Sequence, residues 1–333
     1  MRNNTIVTIG DVNYLWGIFM LIASARKAGM DEPFLVGARG FTPEAERVLK
    51  QLGDVTLFPL GDAELSLTCY KPHVMREAKT DFVTWADSDA FFTGNVSELL
   101  PPEKGDEIHF RLRSVPEMPA AFRAHEYGED GKSIPQAILK VWHDDIAALA
   151  GAANETALYR TSGSGCFCSL ALEENRRFLD VWHDLQMKVL PRRNVGVADH
   201  SLPYYHQLDE STLNACLNFV VGAPRVQGVF KMGKDPARKF VHFIARPKPW
   251  VGWTCRALRH FDSYVSIVEW AEAEGLVLPG PVPFSLRRGN RTAALLLAPW
   301  TELKPKVMKR LRGGFRIRTC QHRVCGGADM TDV

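Results

Sequence analysis

Thr5-Ile6-Val7-Thr8-Ile9-Gly10-Asp11-Val12-Asn13 reads as a buried strand that runs out into a turn. The β-branched run from Thr5 to Ile9 favours extended backbone, and Gly10-Asp11 ends it. Behind the turn Tyr14, Ile18, Leu21, Ile22 and Ala25 recur at helical spacing, and Lys27 with Gly29 supplies a cation and a stop. Working outward, Pro33 to Gly37 is a second short strand. Thr42 can then cap a helix whose first position Pro43 can occupy, and Val55 to Phe58 is a third strand. Strands alternating with helices predict a parallel, doubly wound α/β sheet over the first hundred residues. Such sheets bind ligands at the carboxyl ends of their strands.

Asp81 to Ala86 reads as the next strand, and it runs directly into Asp87-Ser88-Asp89, so two carboxylates arrive at a strand end. Leu139 to Ala153, Glu173 to Leu190 and Leu208 to Phe219 have helical patterns, while Gly165 to Leu170 and Phe240 to Ile244 read as buried strands. The sheet is expected to continue to about residue 250. That gives a catalytic domain over 1–255 and a helical, basic extension over 256–333.

The 333 residues, 46% hydrophobic and 24% charged, have the make-up of a globular protein and exclude a disordered or fibrous one. The apolar runs Leu15 to Ala25 and Ala293 to Ala298 fall short of the roughly 20 residues that cross a bilayer, so no transmembrane helix is expected. The Thr5 to Ile9 run ends too early for a signal peptide, and seven irregularly spaced cysteines suit a reduced compartment. The expected location is therefore cytoplasmic. A formal net charge of +3 is too mild to imply nucleic-acid binding.

Asp87 and Asp89 can both address one metal ion if the backbone turns between them, and hard oxygen ligands suit magnesium or manganese. As a bare pattern they are equally two solvated turn residues. His242, at a strand end, can complete such a shell, and an imidazole would tilt the preference toward manganese. Lys248, six residues later in a proline-framed loop, can reach a phosphate held there. Taken singly, His242 is a structural histidine, Lys248 a surface lysine and Trp250 a core side chain; their joint occurrence gives the set its meaning.

Asn13 to Gly17, Cys69-Tyr70-Lys71-Pro72, Trp85 to Ala90 with Asn95 to Leu100 after it, and His242 to Trp250 occur in the order seen in glycosyltransferase family 8. The chain resembles that family, the group of glycogenin and bacterial lipopolysaccharide galactosyl- and glucosyltransferases, over roughly residues 5 to 253. The resemblance implies a GT-A fold with a mostly parallel central sheet, a nucleotide-diphosphate sugar donor such as a UDP-sugar, a divalent metal (commonly manganese) and transfer with retention. It further implies Asp87, Asp89 and His242 as metal ligands, Asp87 lying also near the donor, and Lys248 as a diphosphate contact. Thr8, Asp11 and Tyr14, in the first strand-to-helix loop, correspond to residues holding base and ribose. Lys71 corresponds to a basic residue near the donor, Ser164-Gly165 to a segment lining the sugar pocket, and Asp209-Glu210 to residues approaching the transferred sugar.

Three positions depart from the family pattern: Gly163 replaces an asparagine, Ala245 a glycine and Glu210 a glutamine. Asp209 or Glu210 can stabilise an oxocarbenium-like centre, and front-face attack by the acceptor is the favoured mechanism over a nucleophilic Glu210. Both are equally ordinary acids in the first turn of a helix, where the macrodipole favours them. Cys166-x-Cys168 suits strand packing, and Cys320, His322 and Cys325 lack a fourth zinc ligand. His73, His200 and His206 have no distinguishing spacing. From Leu303 to Arg318 the chain carries seven cations and no acid, interleaved with Val307, Met308, Leu311, Phe315 and Ile317, and Arg287, Arg288 and Arg291 lie upstream. This mixture suits an anionic membrane surface, at about 1 kcal/mol per cation, or equally a solvated tail. The expected partners are thus a nucleotide-sugar donor, a saccharide or lipid-linked acceptor and an anionic membrane, with no nucleic acid. A sugar nucleotidyltransferase and a catalytically silent sugar-nucleotide-binding protein are the competing readings.

Overall fold

The structure, a computed structural model, describes residues 3–61, 66–118, 122, 130–190, 202–228, 239–244 and 246–314, and of residues 302 and 304–314 the backbone alone. Ala245, His200, the Cys320, His322 and Cys325 group and the basic residues beyond 314 lie outside the described residues.

Strand β1 (Asn4–Asp11) leads through a single 3-10 turn into helix α1 (Leu15–Lys27). It is followed by β2 (Phe34–Arg39), α2 (Pro43–Lys50), β3 (Val55–Pro59), the short α3 (Lys71–Met75) and β4 (Phe82–Ala86). Thr42 does cap α2, its Oγ1 accepting from the Ala45 N–H at 3.2 Å. β3, β2, β1 and β4 pair in parallel, as their alternation with helices predicts.

After β4 the chain forms β5 (Ala90–Phe92), β6 (Glu107–Leu112), α4 (Gln136–Ala150), β7 (Gly163–Ala171) and α5 (Arg176–Val189). Then come α6 (Asp209–Phe219), β8 (Arg225–Gln227), β9 (Phe240–His242), α7 (Phe261–Ala273) and α8 (Arg291–Gly314). β7 adds antiparallel to β4, β6 antiparallel to β7 and β8 parallel to β6. The result is a seven-stranded sheet in the order β3-β2-β1-β4-β7-β6-β8. One expectation is corrected here: Phe240 to Ile244 does not continue the central sheet. β8 holds that edge, and β9 pairs antiparallel with β5 in a separate ribbon, with Ala90 opposite His242.

Side-chain alternation sends the strands' residues to two cores. Val7, Ile9, Leu35, Val83 and Trp85 join Trp142, Trp182 and Leu213 on one side of the sheet. Ile6, Phe34, Val36 and Ala86 join Phe19, Phe91 and Phe243 on the other. Each fully buried large side chain contributes about 1.5–3 kcal/mol, so neither face is ornamental. Phe261, Tyr264, Val265 and Val268 of α7, and Ala294 of α8, enter the same cluster as Phe19. The first part of the sequence beyond residue 255 is therefore packed into the body of the fold.

Candidate active site

β4 and the ribbon meet at the Asp87-Ser88-Asp89 turn. The Asp87 N–H donates to the Cys166 carbonyl of β7 at 3.0 Å, and the Ala90 N–H closes the turn onto the Asp87 carbonyl at 3.0 Å. The Phe243 N–H donates to the Asp89 carbonyl at 3.0 Å, which extends the ribbon past His242. This backbone register, and not sequence proximity, sets the His242 imidazole beside both carboxylates. Its Nε2 lies 3.0 Å from Asp89 Oδ1 and 3.4 Å from Asp87 Oδ2.

One ligand atom from each of Asp87, Asp89 and His242 lies within 4.8 Å of the others. Two carboxylate oxygens and one imidazole nitrogen, converging this closely, fit a hard to borderline divalent cation such as manganese or magnesium. Lys248 pairs with the other Asp89 oxygen and donates to the Phe243 carbonyl at 2.5 Å. Burial alone would raise the Asp89 carboxyl; the His242 and Lys248 charges outweigh it and hold it well below the ordinary range. A Cβ on Gly17 would lie 2.4 Å from the Ser88 carbonyl and 2.5 Å from the Trp250 ring, so the glycine is what lets α1 approach this turn.

Asp87 faces two ways. Its Oδ2 looks toward His242, while its Oδ1 accepts from Lys71 Nζ at 2.9 Å and from the Trp85 indole N–H at 2.8 Å. Lys71, buried at the start of α3, also donates to the Gly165 carbonyl at 3.1 Å and pairs with Asp209 Oδ2 at 2.6 Å. Its ammonium lies 4.7 Å from the centre of the Trp85 ring. Burial would lower the Lys71 pKa, yet Asp209 and Asp87 raise it, so the side chain stays a cation. Burial pushes Asp209 up to about 6, its attraction to Lys71 being offset by the negative charges of Asp87 and Glu210.

Asp209 and Glu210 do occupy the first turn of α6, but they are engaged rather than solvated. Leu208, immediately before them, is buried with φ +54°, the one non-glycine residue with positive φ among the described residues. Such a conformation costs on the order of 1–3 kcal/mol and persists only where the surroundings impose it. Glu210 pairs with Arg113 through Oε1 and accepts the Gly165 N–H at Oε2, 3.2 Å away. Nothing in the sequence marks Arg113, which stands one residue beyond the end of β6.

The remaining expected residues divide. Gly165 serves both Lys71 and Glu210 through its backbone. Ser164 is buried next to it, its hydroxyl 3.5 Å from the Cys166 sulfur. Asp11, at the end of β1, accepts from the Asn13 N–H at 2.9 Å and so shapes the first turn. Tyr14 meets the Trp250 ring edge-on at 5.7 Å, close enough to the ribbon that burial and the Asp89 charge both raise its pKa. Thr8 is a correction: it lies inside β1 and is fully buried rather than in the loop, because strand pairing continues to Asp11 opposite Arg39.

Gly163 is explained as well. A Cβ there would fall 1.9 Å from Cε1 of the Phe110 ring, so phenylalanine fills the space an asparagine side chain would need. Asn214 of α6 grips the Gly163 backbone instead, accepting from its N–H at 2.6 Å and donating to its carbonyl at 3.1 Å. His73 stacks on His183 at 5.3 Å; Cys166 and Cys168 are packed in β7, Cys166 against the His242 side chain, and neither belongs to the group of three metal-ligand candidates.

With this geometry in hand, the solved structures that share the fold can be compared. They include the apo structure of the bifunctional glycosyltransferase WbbM, with a TM-score of 0.53 and 15% identity over 87% of this chain and 52% of that one. The chain thus spans about half the length of WbbM. They also include the galactosyltransferase LgtC in complex with donor and acceptor sugar analogues, with a TM-score of 0.52 and 14% identity over 82% of this chain and 100% of that one. No protein-family model and no curated protein matches the chain. At these identities the likeness is one of fold: a GT-A glycosyltransferase architecture, as the motifs' resemblance to glycosyltransferase family 8 implies.

Proposed function

We propose that the protein is a retaining, metal-dependent hexosyltransferase that moves a hexose from a nucleotide-diphosphate sugar, a UDP-sugar, to a saccharide or lipid-linked acceptor. The observation that carries this reading is the position of Asp87, shared between the Asp89, His242 and Lys248 group on one side and the Lys71 and Asp209 pair on the other. A site arranged in this way can neutralise a departing diphosphate next to a carboxylate that faces developing positive charge.

Asp87, Asp89 and His242 would hold the cation, which supplies Lewis-acid stabilisation of the diphosphate. Lys248 would turn from Asp89 to the phosphate oxygens. As the bond from the anomeric carbon to the diphosphate oxygen breaks, its electron pair goes to that oxygen. The acceptor hydroxyl adds to the same face of the sugar and its proton passes to the departing phosphate. Asp209, held by Lys71, stabilises the cationic carbon, and Asp11 and Tyr14 border the base and ribose.

The acceptor side extends to α8. Leu296, Trp300 and Leu303 recur at helical spacing and are at least half exposed, which suits insertion among the headgroups of an anionic membrane on its cytoplasmic face. The upstream arginines supply less free charge than the sequence suggests, since Arg288 pairs with Glu269 and Asp262, and Arg291 with Asp262. No helix among the described residues is long and apolar enough to cross a membrane.

The test is incubation with a panel of nucleotide sugars and acceptors, with and without manganese, following released nucleotide and the anomeric configuration by NMR. Metal-dependent transfer with retention is expected. Inversion would overturn the mechanism, and pyrophosphate exchange would favour a nucleotidyltransferase. Absence of turnover by the folded protein with every donor would leave the silent binding protein. Sedimentation with phosphatidylglycerol vesicles should fall in a Leu296→Ser, Trp300→Ser variant; undiminished binding would reject the membrane face.

A further inference from the structure

The ladder between β6 and β7 is interrupted at one place. Phe110 pairs with Cys168, yet its neighbour Arg111 pairs with Ser164, so the register skips the three residues Gly165, Cys166 and Phe167. A bulge of this kind re-aims side chains and withdraws backbone groups from the ladder. Both effects are visible. The Gly165 N–H and carbonyl, released from β6, go to Glu210 and Lys71.

Arg113, just beyond the bulge, extends the ladder through its N–H to the Ser162 carbonyl at 2.8 Å and turns its guanidinium onto the start of β7. Its Nη1 donates to Ser162 Oγ at 2.9 Å and to the Gly163 carbonyl at 2.7 Å. Its Nη2 donates to Gln207 Oε1 at 3.4 Å and to Glu210. A fork of donors at fixed angles suits this arrangement, which joins β7 to Gln207, two residues before α6, and to the first turn of that helix. Arg113 and Glu210 are both largely buried, each side chain only 16% exposed. An unpaired carboxylate in such a place would be costly.

Resting on the glycosyltransferase reading, we propose that Arg113 is a positioning residue for the transfer. It occupies one oxygen of Glu210 while the Gly165 amide occupies the other, and so presents a neutral, immobile ion pair to the sugar where a free carboxylate would otherwise stand. Three consequences follow from the geometry. Both oxygens of Glu210 accept a hydrogen bond, which lowers their nucleophilicity toward the anomeric carbon. Its negative charge is balanced in large part by the guanidinium, and only a remainder of it reaches Asp209. The pair behaves toward the sugar as a fixed dipole, the role an uncharged amide would fill without needing an arginine.

That last consequence separates positioning from mere support. If Arg113 serves Glu210, removing the charge of Glu210 should relieve the need for Arg113. The experiment is steady-state kinetics with the donor the wild-type chain turns over, for Arg113→Met, Arg113→Lys, Glu210→Gln and the Arg113→Met, Glu210→Gln pair, each checked for folding by thermal unfolding. Arg113→Met should lower kcat about 100-fold with donor KM changed less than about threefold, as expected for stranding a partly buried charge. Glu210→Gln should cost about tenfold, and the pair should recover to about the same tenfold loss, a coupling within the range found for contacting residues. Arg113→Lys, which keeps the charge but not the fork, should fall between and serves if Arg113→Met does not fold. A pair no more active than Arg113→Met, or unchanged kcat in Arg113→Lys, would overturn the proposal. So would a glycosyl adduct on Glu210 of the wild-type chain. A wild-type chain idle with every donor overturns the glycosyltransferase reading and this inference with it; failure of rescue alongside an active wild type overturns this inference alone.

Discussion

The two sides of the site hold acids in different ways. On the ribbon side, Asp89 is shared between His242 and Lys248, groups that a cation and a phosphate would replace or engage. On the sheet side, Lys71 is committed to Asp87, Asp209 and the Gly165 carbonyl, and Arg113 to Glu210 and the Gly163 carbonyl. On the proposed function the first set would exchange partners when ligands arrive, whereas the second is complete without them. Asp87 belongs to both. The difference teaches that a site receiving a charged diphosphate and an uncharged sugar can be exchangeable at one end and neutralised at the other.

The largest effect should come from breaking the ribbon side. Asp89→Asn is expected to lower metal-dependent turnover at least about 1000-fold, the scale of losing a several-kcal/mol electrostatic contribution. Isothermal titration should show manganese binding abolished. Stability should fall too, because the Asp89 side chain is only 12% exposed and its removal takes the nearest anionic partner from both His242 and Lys248. Asp209→Asn should leave manganese affinity nearly intact while slowing turnover about 100-fold. Equal loss of manganese binding in both variants would erase the division between the two sides.

A smaller effect sharpens the other side. Gly163→Asn, which would restore the residue expected from the family pattern, should not furnish a new sugar contact, because the Phe110 ring stands where its Cβ must go. Overpacking here is expected to cost about 1–3 kcal/mol in denaturant unfolding. An unchanged midpoint together with improved donor affinity would show that the sheet-side wall yields, contrary to its saturated hydrogen bonding.

How much of this was legible in the sequence follows the range of the interactions. β1, β2, β3 and β4 announce themselves through local β-branched runs and the helices between them, and Asp87 and Asp89 through their place at the end of such a run. β5 does not, since three residues, Ala90-Phe91-Phe92, carry no periodicity, and without β5 the departure of β9 from the central sheet cannot be foreseen. Motif order marks His242, whereas its approach to Asp89 depends on that ribbon register. Arg113 is unmarked for a related reason. A register skip between β6 and β7 is a tertiary event, and only the skip turns an arginine after a strand into the partner of a glutamate nearly a hundred residues later. Thr8 lies in the strand and not in the loop because apolar runs mark strand existence better than strand ends.

The smallest effect concerns pH and also distinguishes the sides. Asp209 is raised from the ordinary aspartate value of 3.8 to about 6, by burial first and then by Asp87 and Glu210 acting against Lys71. If its carboxylate stabilises the cationic sugar, kcat/KM should fall about tenfold per pH unit below that value and level off above it. Stability should respond with the opposite sign. A carboxyl whose folded pKa lies above its unfolded one favours the folded state most when protonated, so its contribution is fully present below the unfolded value and is lost as pH rises through the folded one. Between about pH 4 and pH 6, then, this one group makes the protein more active and less stable as protons leave. Comparing Asp209→Asn with the wild type isolates the effect, since the amide cannot titrate. The difference in unfolding free energy between the two should change across that window, and it should stay flat if Asp209 titrates at an ordinary value. Asp89, held down by His242 and Lys248, stays ionised throughout and does not contribute to this limb. An acid limb in kcat/KM lying near 4 instead of near 6 would assign the titration elsewhere and remove Asp209 from its place beside the sugar.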